Sequence, residues 1–111
     1  MRIFKVGPEP VASLEWKEER KGKMTYVNIF EYVSDDEETV VKIVTDNHYA
    51  GVGAEYAFIN HKYPGYKMVM QSLTEAEING ERVACDVLTI SNGKFERSVY
   101  FDISDFFRAL D

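Results

Sequence analysis

One stretch limits the fold more than any other: Asp46 to Gly65, DNHYAGVGAEYAFINHKYPG, the only long segment with a helical period. Tyr49, Val52, Tyr56, Ile59 and Tyr63 recur at spacings of three and four. At about 100° per residue they share an arc of roughly 80°, which predicts that this stripe faces a sheet. Gly53, Ala57 and Asn60 flank the stripe and are small, while His48, Glu55 and Lys62 border its other side. Asp46 or Asn47 can cap the start through a side-chain oxygen. Pro64 and Gly65 end the helix, because proline disfavours helical dihedrals at Tyr63 and glycine suits a left-handed exit. Gly51 and Gly53 each weaken the first turns by about 1 kcal/mol relative to alanine, so the regular helix is expected from near Gly53.

Three strand-like runs lie on each side of this helix. Before it, Val11–Glu19 alternates, with Ala12, Leu14 and Trp16 on one face. Met24–Val33 is apolar on both faces, as in a strand covered on both sides, and Thr39–Thr45 is β-branched. Lys21-Gly22 and the acidic run Asp35–Glu38 make the turns between them. After the helix come Tyr66–Thr74, Arg82–Ile90 and Phe95–Ile103, joined at Asn79-Gly80 and Asn92-Gly93, both hairpin signals. Arg97 on an otherwise apolar face is expected near a sheet edge. Arg2–Val6 is a further short strand, stopped by Gly7-Pro8-Glu9-Pro10. Ser104 is expected to cap a short final helix, Asp105–Leu110. The predicted fold is a single α+β domain, β-β-β-α-β-β-β-α. Its six- to seven-stranded sheet is mostly antiparallel, with the main helix packed on one face.

The segment Phe58–Ile103 contains a helix end, Tyr63-Pro64-Gly65-Tyr66, a three-strand meander and Tyr100-Phe101-Asp102. It resembles the helix-plus-meander units of PepSY-like and β-lactamase-inhibitor-type bacterial domains. The resemblance implies a non-enzymatic inhibitory or binding module of a commonly exported kind.

The 111 residues carry a formal net charge of −6, with the acidic side chains spread along the chain. This argues against non-specific binding to nucleic acid or an anionic membrane, which needs a basic surface. The longest apolar runs fall far short of the roughly 20 residues of a membrane span. The start, MRIFKVGPEP, lacks the apolar core of a secretory leader, so a cytoplasmic chain is expected, or an exported one if a leader has been cut away.

Sharp catalytic motifs are missing. His48 and His61, the two histidines, stand about 20 Å apart along the helix and roughly 140° around it, so they cannot share a metal ion. Cys85 lies mid-strand beside Asp86 without a base to activate it, which reads as packing. The Asp35–Glu38 run lacks the spacing of a calcium loop, and Asp102 with Asp105 fits capping of Ser104. No cofactor, no metal and no catalytic residue is assigned. The remaining clue is aromatic: seven tyrosines and seven phenylalanines exceed what one small core must hold. Phe58 falls roughly 130° from the stripe, and Tyr32, Tyr66 and Tyr100 sit at or near strand ends. These four are the candidate contacts of a non-catalytic module that binds a protein partner or a second copy of itself. The alternative is a small-ligand pocket between helix and sheet, as in cystatin-like or NTF2-like cones, lined by Tyr26, Asn28, Tyr32 and Tyr56. The diverging histidines and single thiol predict that EDTA leaves the melting temperature unchanged; a chelator-dependent melt in calorimetry would refute the absence of a structural metal.

Overall fold

The computed structural model describes residues 1–107. Seven strands form one sheet in the order β1-β5-β6-β7-β4-β3-β2. They are β1 (Arg2–Phe4), β2 (Ala12–Arg20), β3 (Lys23–Val33), β4 (Thr39–Val44), β5 (Lys67–Ile78), β6 (Glu81–Ser91) and β7 (Glu96–Asp102), and among the described residues one helix, α1 (His48–Lys62), lies between β4 and β5. The hairpins β2–β3, β3–β4, β5–β6 and β6–β7 are antiparallel, while β1 with β5 and β4 with β7 are parallel. The β5–β6 turn is Asn79-Gly80, with φ of 51° and 86° at its two residues, the left-handed pair that a two-residue hairpin requires. Among the described residues, Arg97 lies where β7 is paired on one side only, with Ile90 of β6, because β4 meets β7 only at Tyr100–Asp102. Its strand, β7, is central, and its guanidinium lies over the Tyr63 ring at 5.2 Å.

The N-terminal segment fastens the sheet on the face away from the helix. Phe4 is 1% exposed and heads a small cluster with Val40, Ala76, Val83 and Cys85. Val6 bridges to Ser34, Asp35 N–H donates to the Lys5 carbonyl, and the Asn79 side chain bonds both Val6 N–H and Val6 C=O. One short segment thus ties the β5–β6 turn to the β3–β4 turn. Arg2 reinforces it, stacking on Phe4 and Tyr100 and pairing with Asp36 at 3.3 Å and Glu38 at 3.4 Å.

The helix covers the opposite face. It is capped by Asn47, whose Oδ1 accepts from Ala50 N–H, and it runs through both early glycines instead of starting at Gly53. Its buried side is not the tyrosine stripe. Ala50, Gly51, Ala54, Glu55, Phe58 and Ile59 are buried, whereas Tyr49 is 58% exposed and Tyr56 38%. Of the expected stripe, Ile59 faces inward, Val52 is half-buried, and Tyr63 is buried beyond the helix end. The reason is depth. Small residues let the helix backbone approach the sheet, and an added Cβ at Gly51 would stand 2.6 Å from the Phe106 ring. The tyrosines, with hydroxyls to solvate, take the wet rim.

Phe58 is therefore core, not surface. It is 1% exposed and meets Phe101 and Tyr63 edge-on at 5.8 and 6.4 Å, among Val27, Ile29, Val41, Ile43, Leu88, Ile90 and Val99. The expected final helix is also revised. Residues 104–107 form turns, with Phe106 N–H donating to the Ile103 carbonyl and the Asp102 carboxylate accepting from Ser104 N–H and Oγ. Asp102, rather than Ser104, thus orders this turn, and the rest of Asp105–Leu110 lies outside the described residues. Phe58→Ala should cost about 3–5 kcal/mol in urea titration, the range for removing a core phenylalanine, while Tyr49→Ala should cost below about 1 kcal/mol.

Candidate association site

The aromatic residues singled out in the sequence do not form one surface. Tyr32 and Tyr100 lie on the sheet face away from the helix, one on each side of Val40, and both are partly covered by the Phe4 cluster. Tyr66 is on the helix side, packed on the main core and edge-on to Tyr63 at 5.7 Å. Phe58 is buried between them. The pocket alternative is divided in the same way. Tyr26, Asn28 and Tyr32 alternate with the helix-facing Val27, Ile29 and Glu31, so they point away from α1, while Tyr56 projects from α1 itself. No cavity between helix and sheet can be lined by all four, and that space is filled by the core.

What the structure does leave open is the outer edge of β5. Its partner on that side, β1, pairs only with Ala76, Glu77 and Ile78. From Lys67 to Thr74 the outer edge has no neighbouring strand among the described residues, and every residue of that run is exposed. Met68, Val69, Met70 and Leu73 are 44, 57, 60 and 58% exposed. Met70–Thr74, MQSLT, contains no charge and no proline. The far edge of the sheet is different: β2 carries Glu15, Lys17, Glu18, Glu19 and Arg20, the charged guard that discourages strand addition. A bulge between Met68 and Met70 interrupts the start of β5 only.

The direction of the free backbone groups follows from the pairing. Asn79 N–H donates to the Phe4 carbonyl at 3.0 Å, and the Ile78–Glu81 pair closes the Asn79-Gly80 turn. Alternation then turns the even residues from Ile78 back to Ser72 toward β6, and Glu77, Glu75, Leu73 and Gln71 outward. Glu77 is covered by β1, and the Arg2–Ala76 pairing also takes up the Glu75 carbonyl, which leaves the N–H and C=O groups of Gln71 and Leu73 and the N–H of Glu75 unpaired among the described residues. The side chains of these three share the helix face with Leu88, Asp86 and Ala84 across β6. There Tyr56 overhangs the edge, its hydroxyl donating to Gln71 Oε1 at 3.3 Å and lying 3.8 Å from Met68 Sδ. An open groove of about 1020 Å³ continues from Leu73 and Glu75 to Arg82, Asp46, Asp105 and Phe107.

Sequence reasoning missed Met68, Met70 and Leu73. The uncharged run was visible, but which strand would stand at an edge was not. The sequence matches no protein-family model, and neither a characterised protein nor a solved structure matches it. Among the described residues no helix is long and apolar enough to cross a membrane.

The buried titratable groups belong to packing. Cys85 is fully buried, and its thiol is pushed up to about 12 by burial and by the carboxylates of Asp102 and Asp86. Glu31, 5% exposed, is held by Lys62 Nζ at 2.6 Å, a tie between β3 and the end of α1. Glu55 is 1% exposed and faces Asp86 of β6. Ionised, its Oε2 has no donor; protonated, it donates to Asp86. Burial first, then that hydrogen bond, then repulsion from Asp86 push the Glu55 carboxyl from 4.5 to about 10. Folding therefore keeps a proton that the unfolded chain loses. The stabilisation is complete below about pH 4.5 and falls away progressively as pH rises toward about 10. Urea midpoints of the wild type should decline across that window, and Glu55→Gln should flatten the decline; an unchanged slope would show that Glu55 is ionised in the fold.

Proposed function

We propose that this chain is a non-catalytic association module whose working surface is the free edge of β5. One observation carries the reading: an uncharged, methionine-rich strand edge with unpaired backbone groups at Gln71 and Leu73 and a free N–H at Glu75, in a sheet whose other edge is guarded by charge. An added strand would satisfy those groups, and the side chains flanking the lane would select its sequence. Methionines at positions 68 and 70 and Tyr56 give that lane an adaptable apolar border. The aromatic contact first expected at Phe58 has no place in this reading, since that ring is core. Tyr56 is the aromatic that remains next to the edge. The acidic balance argues against nucleic acid as the partner. The likeness of Phe58–Ile103 to PepSY-like and inhibitor-type modules belongs to the same proposal, because those modules bind or inhibit and do not catalyse.

Leu73→Pro tests the edge directly. The Leu73 N–H points outward, so proline removes no bond of the β5–β6 ladder but blocks strand addition. In a screen of immobilised chain against a library of extended peptides, binders should be recovered that shift the amide resonances of Gln71, Leu73 and Glu75. They should lose at least tenfold in affinity for Leu73→Pro. Binders that ignore this substitution would move the site elsewhere.

A further inference from the structure

We infer that the strand received by the β5 edge is β5 of a second copy of this chain, paired antiparallel about a two-fold axis at Gln71. This rests on the reading of β5 as the association surface and adds the identity of the partner. Three constraints select it.

The first is lane length. The free lane runs from Lys67 to Thr74, bounded by β1, whose Arg2 N–H takes the Glu75 carbonyl, and by the Pro64-Gly65 turn at the other end. A two-fold pairing centred on Leu73 would drive Met70 and the preceding residues of the second copy into the space of β1. Centred on Gln71, each copy meets only the free lane of the other, and the second chain turns away at its own Gly65.

The second constraint is hydrogen bonding. Gln71 of each copy presents outward backbone groups, so the two residues form a reciprocal pair at the axis. With the Met68/Met70 bulge taken up in each strand, Leu73 falls opposite Met68 of the second copy, and both are outward-facing positions.

The third is side-chain chemistry. In that register the exposed Leu73 and Met68 cover one another twice on the helix face, beside Tyr56. On the other face Met70 meets Ser72, and Thr74 meets Lys67. No like charges stand opposite each other, although each chain carries −6, because Lys67 falls opposite Thr74 and the uncharged MQSLT run holds the centre. The product is one continuous sheet across two copies.

Gln71→Cys reads this register. At the axis the Cα atoms of a reciprocal pair lie about 5.5 Å apart, within disulfide reach. Native Cys85 is fully buried and does not compete. On mild oxidation Gln71→Cys should run as a covalent dimer on a non-reducing gel, while Ser72→Cys, displaced from its own copy by more than the roughly 7 Å limit, should not. Sedimentation of the wild-type chain should show a concentration-dependent dimer, weakened at least tenfold by Leu73→Pro and by Leu73→Lys, with melting curves confirming that at least one variant is folded. A wild-type chain that stays monomeric at millimolar concentration overturns the inference; if extended peptides still shift Gln71, Leu73 and Glu75, the edge reading itself survives. A dimer that persists in both Leu73 variants, or that fails to cross-link through Gln71→Cys, overturns both the register and the use of this edge.

Discussion

Close approach of α1 to the sheet is the constraint on which the rest of the structure depends. Ala50, Gly51 and Ala54 present almost no side chain, so the helix backbone sinks until Phe58 reaches Phe101. That depth decides which groups are dry. It seals Glu55 against Asp86, where burial pushes the Glu55 carboxyl pKa well up, and draws Lys62 down onto Glu31. A larger residue at Gly51 would meet Phe106, and one at Gly53 would meet Trp16, so the same approach organises the turn after β7 and the outer strand β2. Loss of a few contacts here is expensive because tightly packed interiors relax only in part.

The other sheet face obeys a different rule. Among the described residues it has no helix, and its cover is the N-terminal segment, anchored through Phe4, the Asn79 side chain and the Arg2 ion pairs. That cover is short. Because β1 spans only three residues, it protects one end of β5 and leaves the remainder as an edge. The proposed association surface is thus a by-product of how far the chain's own first strand extends. Its boundaries are set by β1 at one end and by the α1–β5 turn at the other.

Much of the architecture was legible in the residues. Turn chemistry at Lys21-Gly22, Asn79-Gly80 and Asn92-Gly93 located the hairpins, and alternation located the strands, because both signals are local. Parallel pairing of β1 with β5 and of β4 with β7 was not legible, since it joins segments distant in sequence. The central position of β7 was lost for the same reason, although Arg97 itself lies on a stretch that β4 does not reach and stacks on Tyr63 across the helix end. Of the candidate contacts, those at or near strand ends, Tyr32, Tyr66 and Tyr100, are half-buried and lie on two opposite faces.

By itself the sequence determined one helix between sets of strands, the turns, and a chain without the marks of a metal or nucleophile site. The tertiary structure alone decided which way the helix is rotated and which strand is left open. Helical periodicity identifies two faces but cannot rank them when one is tyrosine-rich and the other small. The choice belongs to packing depth, which favours alanine and glycine against a sheet and sends hydroxyl-bearing rings to the rim. Likewise MQSLT reads as an ordinary half-polar strand. It becomes an exposed edge only because the sheet order places β5 beside a strand too short to cover it.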